Sequence, residues 1–300
     1  MIESVNLTKK FNGLAAVNNL NLNIGKIGIF GLIGPDGAGK TTLIRLMCGI
    51  LDPTSGDILI ENRSVKKYPE EVRLKIGYMP QKFSLYGDLS VIENLNFYAD
   101  LYLVPKKERL KTISRLLEFS HLSPFKNRLA EKLSGGMKQK LGLACSLIHK
   151  PKILFLDEPT NGVDPLSRRE FWNILRELKD EGVLIVISTP YMDEAERCDI
   201  IGLIDKGNLL YSGTPDDFKK KHNGRVIELI TSNCKNAFDI LKSAGKVIGI
   251  NTYGEILHIN VEKEFDQKAI EKILEKNSIK IISLSEVNPD IEDVFVYLVR

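Results

Sequence analysis

The chain has 300 residues, 43% hydrophobic and 27% charged, a composition that suits one large or two ordinary folded domains and excludes disorder as the default. Its 42 basic and 39 acidic side chains leave a formal charge of +3 and are mixed along the sequence, so no nucleic-acid footprint is present and no nucleic-acid partner is expected. The longest apolar runs, at 27–33, 153–156 and 183–187, have the length of buried strands and fall far short of the roughly 18 to 20 residues that span a bilayer.

In chain order, strands are expected at 2–7, 20–24, 28–33, 57–60, 76–79, 153–156 and 184–188, then a hairpin of 200–204 and 208–212 around Lys206-Gly207. Their alternation with amphipathic stretches up to about Pro215 predicts an α/β fold with a mainly parallel sheet covered by helices. Between Gln81 and Leu133 the strand signals stop, and Ile113, Leu116 and Leu117 recur at helical spacing, which predicts a helical subdomain over 82–135. Asp164-Pro165 reads as the cap and first turn of a helix over 166–181, and Thr214-Pro215-Asp216-Asp217 as a capping box. The charged stretch 219–225 reads as a linker, giving domains of 1–222 and 223–300. The second domain should run strand 226–231, helix 235–244, two strands joined near Tyr253-Gly254, helix 266–275, strand 279–285 and helix 290–298. That βαββαβ order predicts a small α+β ferredoxin-like accessory domain.

Cys48, Cys145, Cys198 and Cys234 are scattered without CxxC spacing and are expected to be reduced packing residues. The first residues lack the basic and apolar regions of a secretion signal, so a cytoplasmic location is expected.

Two segments carry chemistry. Gly34-Pro35-Asp36-Gly37-Ala38-Gly39-Lys40-Thr41-Thr42 has the spacing G-x-x-x-x-G-K-[ST], follows a predicted strand and opens a predicted helix. Glycines let such a loop turn its amides toward phosphate oxygens, and the helix start adds partial positive charge. Lys40 then reaches the β- and γ-phosphates of a nucleotide, and Thr41 offers a hard oxygen to Mg²⁺. Downstream, Ile153-Leu154-Phe155-Leu156-Asp157-Glu158 is a buried-strand pattern ending in paired carboxylates, the Walker B arrangement. Asp157 is placed to hold Mg²⁺ and Glu158 to polarise an attacking water.

With these stands Leu133-Ser134-Gly135-Gly136-Met137, in which Ser134 is a good helix cap and two glycines open the helix. At this point the chain resembles the ABC ATPase family over about residues 1–220, since this segment looks like that family's signature. The resemblance implies a P-loop NTPase nucleotide-binding domain that binds ATP with Mg²⁺ and hydrolyses it. It implies that Phe11 stacks on adenine, that Gln81 is the Q-loop glutamine, catalytic and a metal ligand beside Thr41 and Asp157, and that Asn161-Gly162-Val163-Asp164 is the D-loop. It also implies that Ser134, Gly135 and Gly136 meet the γ-phosphate held by a second ATP-binding subunit, the same chain or another. The expected machine is the ATP-binding subunit of a transporter, resembling exporters of drugs, ions or other small molecules, peripheral on the inner membrane face through an integral membrane permease. Phe83, Leu85 and Tyr86 are candidates for contact with that partner. A soluble ABC ATPase without a membrane subunit, or a regulatory half with weak hydrolysis, fits the same motifs.

One residue expected from the family is missing. Where a histidine is expected after Ile187-Ser188-Thr189, this chain has Pro190, which offers no side-chain or backbone donor to a γ-phosphate. Two arrangements fit: slow turnover sustained by Glu158, or pairing with a non-identical half to which this chain lends Ser134 and Gly136. Asp36, where asparagine is commoner in the family, places a carboxylate near phosphates. The second domain is expected to regulate or to aid dimerisation.

Overall fold

The computed structural model describes residues 1–25, 27–82, 85–244 and 247–298. The first compact unit ends at Ser212. It runs β1 (Ile2–Phe11), β2 (Leu14–Ile24), β3 (Gly28–Ile33), α1 (Lys40–Met47), β4 (Ser55–Ile60), β5 (Arg63–Ser64), α2 (Pro69–Arg73) and β6 (Ile76–Met79). There follow α3 (Val91–Leu101), α4 (Lys106–Phe119), α5 (Gly135–Ser146), β7 (Ile153–Asp157), α6 (Pro165–Asp180), β8 (Leu184–Thr189), α7 (Met192–Ala195), β9 (Ile200–Asp205) and β10 (Asn208–Gly213).

Six strands form a sheet in the order β10-β9-β3-β8-β7-β6, with β3 parallel to β8 and β9, and β7 parallel to β6 and β8. Every residue of β3, β7 and β8 is buried, as parallel strands covered on both faces should be. The carboxyl ends of β3, β8 and β7 lie side by side, so the segments that follow them share one sheet edge. Lys206 and Gly207, both at positive φ (47° and 79°), make the two-residue reversal between β9 and β10.

The expectation of one mainly parallel sheet needs correcting. β1, β2 and β4 pair antiparallel in a separate sheet ordered β2-β1-β4-β5. The alternation Leu20-Asn21-Leu22-Asn23-Ile24 explains it, because the apolar residues are buried and the asparagines exposed, the pattern of a sheet with one wet face. Its buried side joins Phe30, Leu43 and Ile44 in one core.

The helical insertion carries α3 and α4, with Ile113, Leu116 and Leu117 buried. Ser90 and Glu93 close a reciprocal capping box at the start of α3. Of the candidate partner contacts, Phe83 lies outside the described residues. Leu85 is half-buried, and Tyr86 is exposed with its ring edge-on to Phe97 at 4.7 Å.

The second unit begins at Gly213, earlier than the boundary expected at 222/223. It contains α8 (Pro215–Lys219), β11 (Arg225–Thr231), α9 (Cys234–Ser243), β12 (Gly249–Tyr253), β13 (Ile256–Val261), α10 (Lys268–Lys276), β14 (Ile281–Val287) and α11 (Ile291–Leu298). Segment 219–225 is anchored rather than a linker. Phe218 of α8 is buried, α8 packs on α11, and His222 meets the ring of Tyr297 at 4.5 Å while Nε2 donates to Asn260 Oδ1 at 2.7 Å. The four strands are antiparallel in the order β12-β13-β11-β14. Ile227, Leu229, Leu257 and Ile259 form a core with Leu241 of α9 and Ile270 and Leu274 of α10, and α11 packs on β12 and β13.

All four cysteines are buried and free, and burial pushes the Cys48, Cys145 and Cys198 thiols above their usual range.

Candidate active site

β3 ends at Ile33 and α1 begins at Lys40, so the phosphate-loop motif is the turn between them. A Cβ at Gly34 (φ 152°) would stand 2.1 Å from the Ile204 carbonyl oxygen, and one at Gly39 (φ 111°) 2.2 Å from that of Ala16. No side chain fits at either place, because β9 and β2 press on the loop from behind. The hairpin tip braces it further: Gly207 N donates to Ala38 O, and Asn18 N donates to Gly207 O, both at 2.9 Å. Ala38 is buried, Pro35 and Thr42 are half-buried, and Asp36 and Gly37 are exposed on the outer turn.

Lys40 is buried, and its Nζ donates to the carbonyls of Gly34 (2.8 Å) and Pro35 (3.0 Å) and lies 3.6 Å from Glu158 Oε1. The ammonium is therefore held inside the loop, where phosphate oxygens can replace the two carbonyls.

Thr41 Oγ1 donates to Asp157 Oδ1 at 2.9 Å, and Ser188 Oγ donates to the same oxygen at 2.8 Å. Asp157 is fully buried, and its Oδ2 has no hydrogen-bond partner. A buried anionic oxygen without a donor is costly unless something binds it. Beside the Thr41 hydroxyl, this spare oxygen forms a hard donor set that fits Mg²⁺.

Glu158 is buried and sits at φ 49°, held there by its N–H donating to the Ser188 carbonyl (3.2 Å) and hydroxyl (3.0 Å). Its Oε2 accepts from Gln81 Nε2 at 2.7 Å and from Asn161 Nδ2 at 3.3 Å. The two residues expected to be catalytic thus meet directly. Gln81 turns its amide nitrogen to Glu158, so only its Oε1 is of the right type for a cation.

Ser134 caps α5 by accepting from Met137 N at 3.3 Å, with Gly135 and Gly136 as the first helical residues. A Cβ on Gly136 would lie 2.5 Å from Ser167 Oγ, and the nearest atom to one on Gly135 is the Gly162 oxygen at 4.0 Å. The neighbours of this helix tip therefore come from the segment 162–167 that leads into α6, not from the phosphate loop. Asp164 caps α6 by accepting from Ser167 N at 2.9 Å, a bond that holds its carboxyl below the usual range. Phe11 ends β1 and is 45% exposed, with Lys9 Nζ 5.1 Å from its ring centroid.

Several supporting contacts go beyond the sequence reading, which had Asn161 only as part of the D-loop. Ser188 is the second hydroxyl on Asp157, Asn161 is the second amide on Glu158, and Glu194 Oε2 accepts from Thr160 (3.0 Å) and Thr189 (2.6 Å). Asn161 alone had a local signal, standing three residues after Glu158 on one turn. The others depend on which strands lie together.

Residues 17–161 match the family model described as ABC transporter. Over 297 residues the chain is 44% identical to the probable multidrug ABC transporter ATP-binding protein YbhF of Escherichia coli strain K12. That match takes in 97% of this chain but 51% of the relative, so the chain spans about half its length. It is 31% identical to the linearmycin resistance ATP-binding protein LnrL of Bacillus subtilis, across 99% of this chain and 98% of that one. Among solved structures, cbiO1 from Clostridium perfringens, part of the ABC transporter complex cbiONQ, superposes with a TM-score of 0.67 at 30% identity, covering 72% of this chain and 89% of its own. The cassette MJ0796, dimeric and bound to ADP and Pi, gives a TM-score of 0.66 at 26% identity, covering 71% and 98%. A relative matched almost end to end settles the family: this chain belongs to the ATP-binding proteins of ABC transporters.

Proposed function

We propose that this chain is the ATP-hydrolysing subunit of an exporter, whose closure as a dimer drives a separate membrane-embedded permease. The observation that carries the reading is the Glu158 carboxylate, with Gln81 and Asn161 on one oxygen and Lys40 beside the other. In this reading the loop amides and Lys40 bind the β- and γ-phosphates, and Glu158 takes a proton from the attacking water while Gln81 fixes its direction. Thr41 and Asp157 hold Mg²⁺, with Gln81 Oε1 as a further ligand; when bound, the ion neutralises phosphate charge. Phe11 presents an exposed aromatic face to adenine. Ser134, Gly135 and Gly136 serve the nucleotide of a second ATPase half, a reading supported by the dimeric form of the similar cassette MJ0796.

Export of small molecules is supported by the names of the relatives, which include multidrug, linearmycin resistance and bacitracin transport proteins. Among the described residues no helix is long and apolar enough to cross a membrane. The proposal gives that passage to the permease and places this chain on the cytoplasmic face. An apolar cleft lined by Ile50, Leu74, Tyr78, Leu101 and Tyr102, between the parallel sheet and the helical insertion, supports docking of a partner.

Hydrolysis of Mg-ATP by wild type and Glu158→Gln tests the reading. Loss of the general base should lower turnover by about 10²- to 10⁴-fold while ATP still binds and the dimer persists. Turnover at the wild-type rate in Glu158→Gln, or no binding of Mg-ATP by wild type, would overturn it. The same assay on Pro190→His separates the two arrangements: a several-fold gain in the chain alone supports slow self-turnover, and no gain until a different ATPase half is added supports pairing.

A further inference from the structure

We propose that Tyr191 is a positioning residue that orients the Glu158 carboxylate through Asn161, in the segment where Pro190 removes the expected imidazole. The proposal rests on the reading of Glu158 as the residue that polarises water.

Tyr191 is clamped from three directions. Pro190 fixes the backbone immediately before it. Tyr191 N donates to Thr189 Oγ1 at 3.0 Å, and the Arg168 guanidinium lies over its ring, 4.2 Å from the centroid. Arg168 is itself placed by Glu194 (3.7 Å) and Asp193 (4.0 Å), and Glu194 is fully buried and ties down Thr160 and Thr189. Held this way, the Tyr191 hydroxyl points at Asn161 Oδ1 from 3.5 Å, beyond the roughly 2.5 to 3.0 Å of a full O–H···O bond and so a weak contact.

The Glu158 carboxylate, which can only accept, sets the sense of the Asn161 amide, and the Tyr191 hydroxyl braces the oxygen that this leaves facing away. With Oδ1 turned to the hydroxyl, Nδ2 faces Glu158 Oε2 at 3.3 Å, beside the 2.7 Å bond from Gln81. Reversed, the amide would set an oxygen against a carboxylate oxygen, acceptor against acceptor. With Oε2 tied by two amides, the carboxylate has one orientation, and Oε1 is left on the Lys40 side. A long hydrogen bond acting through one neighbour predicts a modest effect on rate rather than an all-or-none one.

Tyr191→Phe removes the hydroxyl and keeps the ring beneath Arg168. In the full chain, assembled as wild type requires for turnover, kcat should fall by about 3- to 10-fold, as loss of one neutral hydrogen bond allows, with KM for Mg-ATP and Tm unchanged. Asn161→Ala should show the same fall, and the double variant no further fall, because both act on one carboxylate. Wild-type kcat in Tyr191→Phe, losses that multiply in the double variant, or an effect confined to KM or Tm would overturn the proposal. Glu158→Gln in the same assay keeps the two readings apart. If it turns over normally, the role of Glu158 fails first; if it is inactive while Tyr191→Phe is unaffected, only the positioning role fails.

Discussion

Asp157 and Asp293 are both fully buried, yet their carboxylates are met in opposite ways. Asp293, in the first turn of α11, accepts from Asn251 Nδ2 at Oδ1 (2.9 Å), and from His258 Nδ1 (2.9 Å) and Asp290 N (3.2 Å) at Oδ2. Its own N–H donates to Asp290 Oδ1 at 2.8 Å, and Tyr253 donates to Asp290 Oδ2 at 2.7 Å. Asp157 accepts two hydroxyls on one oxygen and nothing on the other. The first acid is complete within the chain and fastens α11 to β12 and β13. The second keeps one oxygen unmet by the chain, the oxygen that the proposed Mg²⁺ would take. Counting the donors on each oxygen separates a fastening from a binding site where burial does not.

Asparagine at each position puts that contrast under load. Asp293→Asn exchanges an acceptor oxygen for an N–H and leaves a buried donor facing a donor, so chemical denaturation should show a loss of about 2 to 3 kcal/mol. Unchanged stability would remove the fastening role. Asp157→Asn keeps an oxygen for Thr41 and Ser188, and its folding stability should stay within about 1 kcal/mol of wild type. Its affinity for Mg-ATP, measured by titration calorimetry, should fall by about 10- to 100-fold, with little change for ATP in EDTA. Equal losses with and without Mg²⁺ would place the cation elsewhere.

The smallest effect is on pH dependence. Burial, then the charge of Asp290, raises the Asp293 carboxyl above its usual range, with His258 pulling the other way. Folding therefore favours the protonated acid. That contribution is fully present below the ordinary value of about 3.9 and is lost as pH rises through the higher folded value. The advantage of wild type over Asp293→Asn should shrink across that window. Parallel stability curves would contradict it.

The same two acids show what was legible in the sequence. Asp157 stood out because a contiguous apolar run ends at it, and the glycine spacing at 34–41 marked its neighbour. The oxygen from Ser188 was not legible, since it depends on the register that sets Asp157 opposite Ser188 across β7 and β8. Gln81 and Glu158 likewise meet only because β6 lies beside β7. In the second unit, periodicity marked the elements to within a few residues, but nothing local connects His258 with Asp293. The antiparallel sheet was available in the alternation at 20–24. It was missed because β1 pairs with β4 across the intervening β2, β3 and α1, a long-range choice that no short window displays.

The left-handed backbone at Glu158, φ 49°, has a consequence for how such a protein can change. A residue with a side chain is disfavoured there by about 1 to 2 kcal/mol, whereas glycine is not. Glycine at 158 would relieve that cost, but it would strip Gln81, Asn161 and the buried Lys40 of the carboxylate they meet. A carboxylate is thus kept in a backbone shape that suits glycine, the strain being held by the three side chains gathered around it.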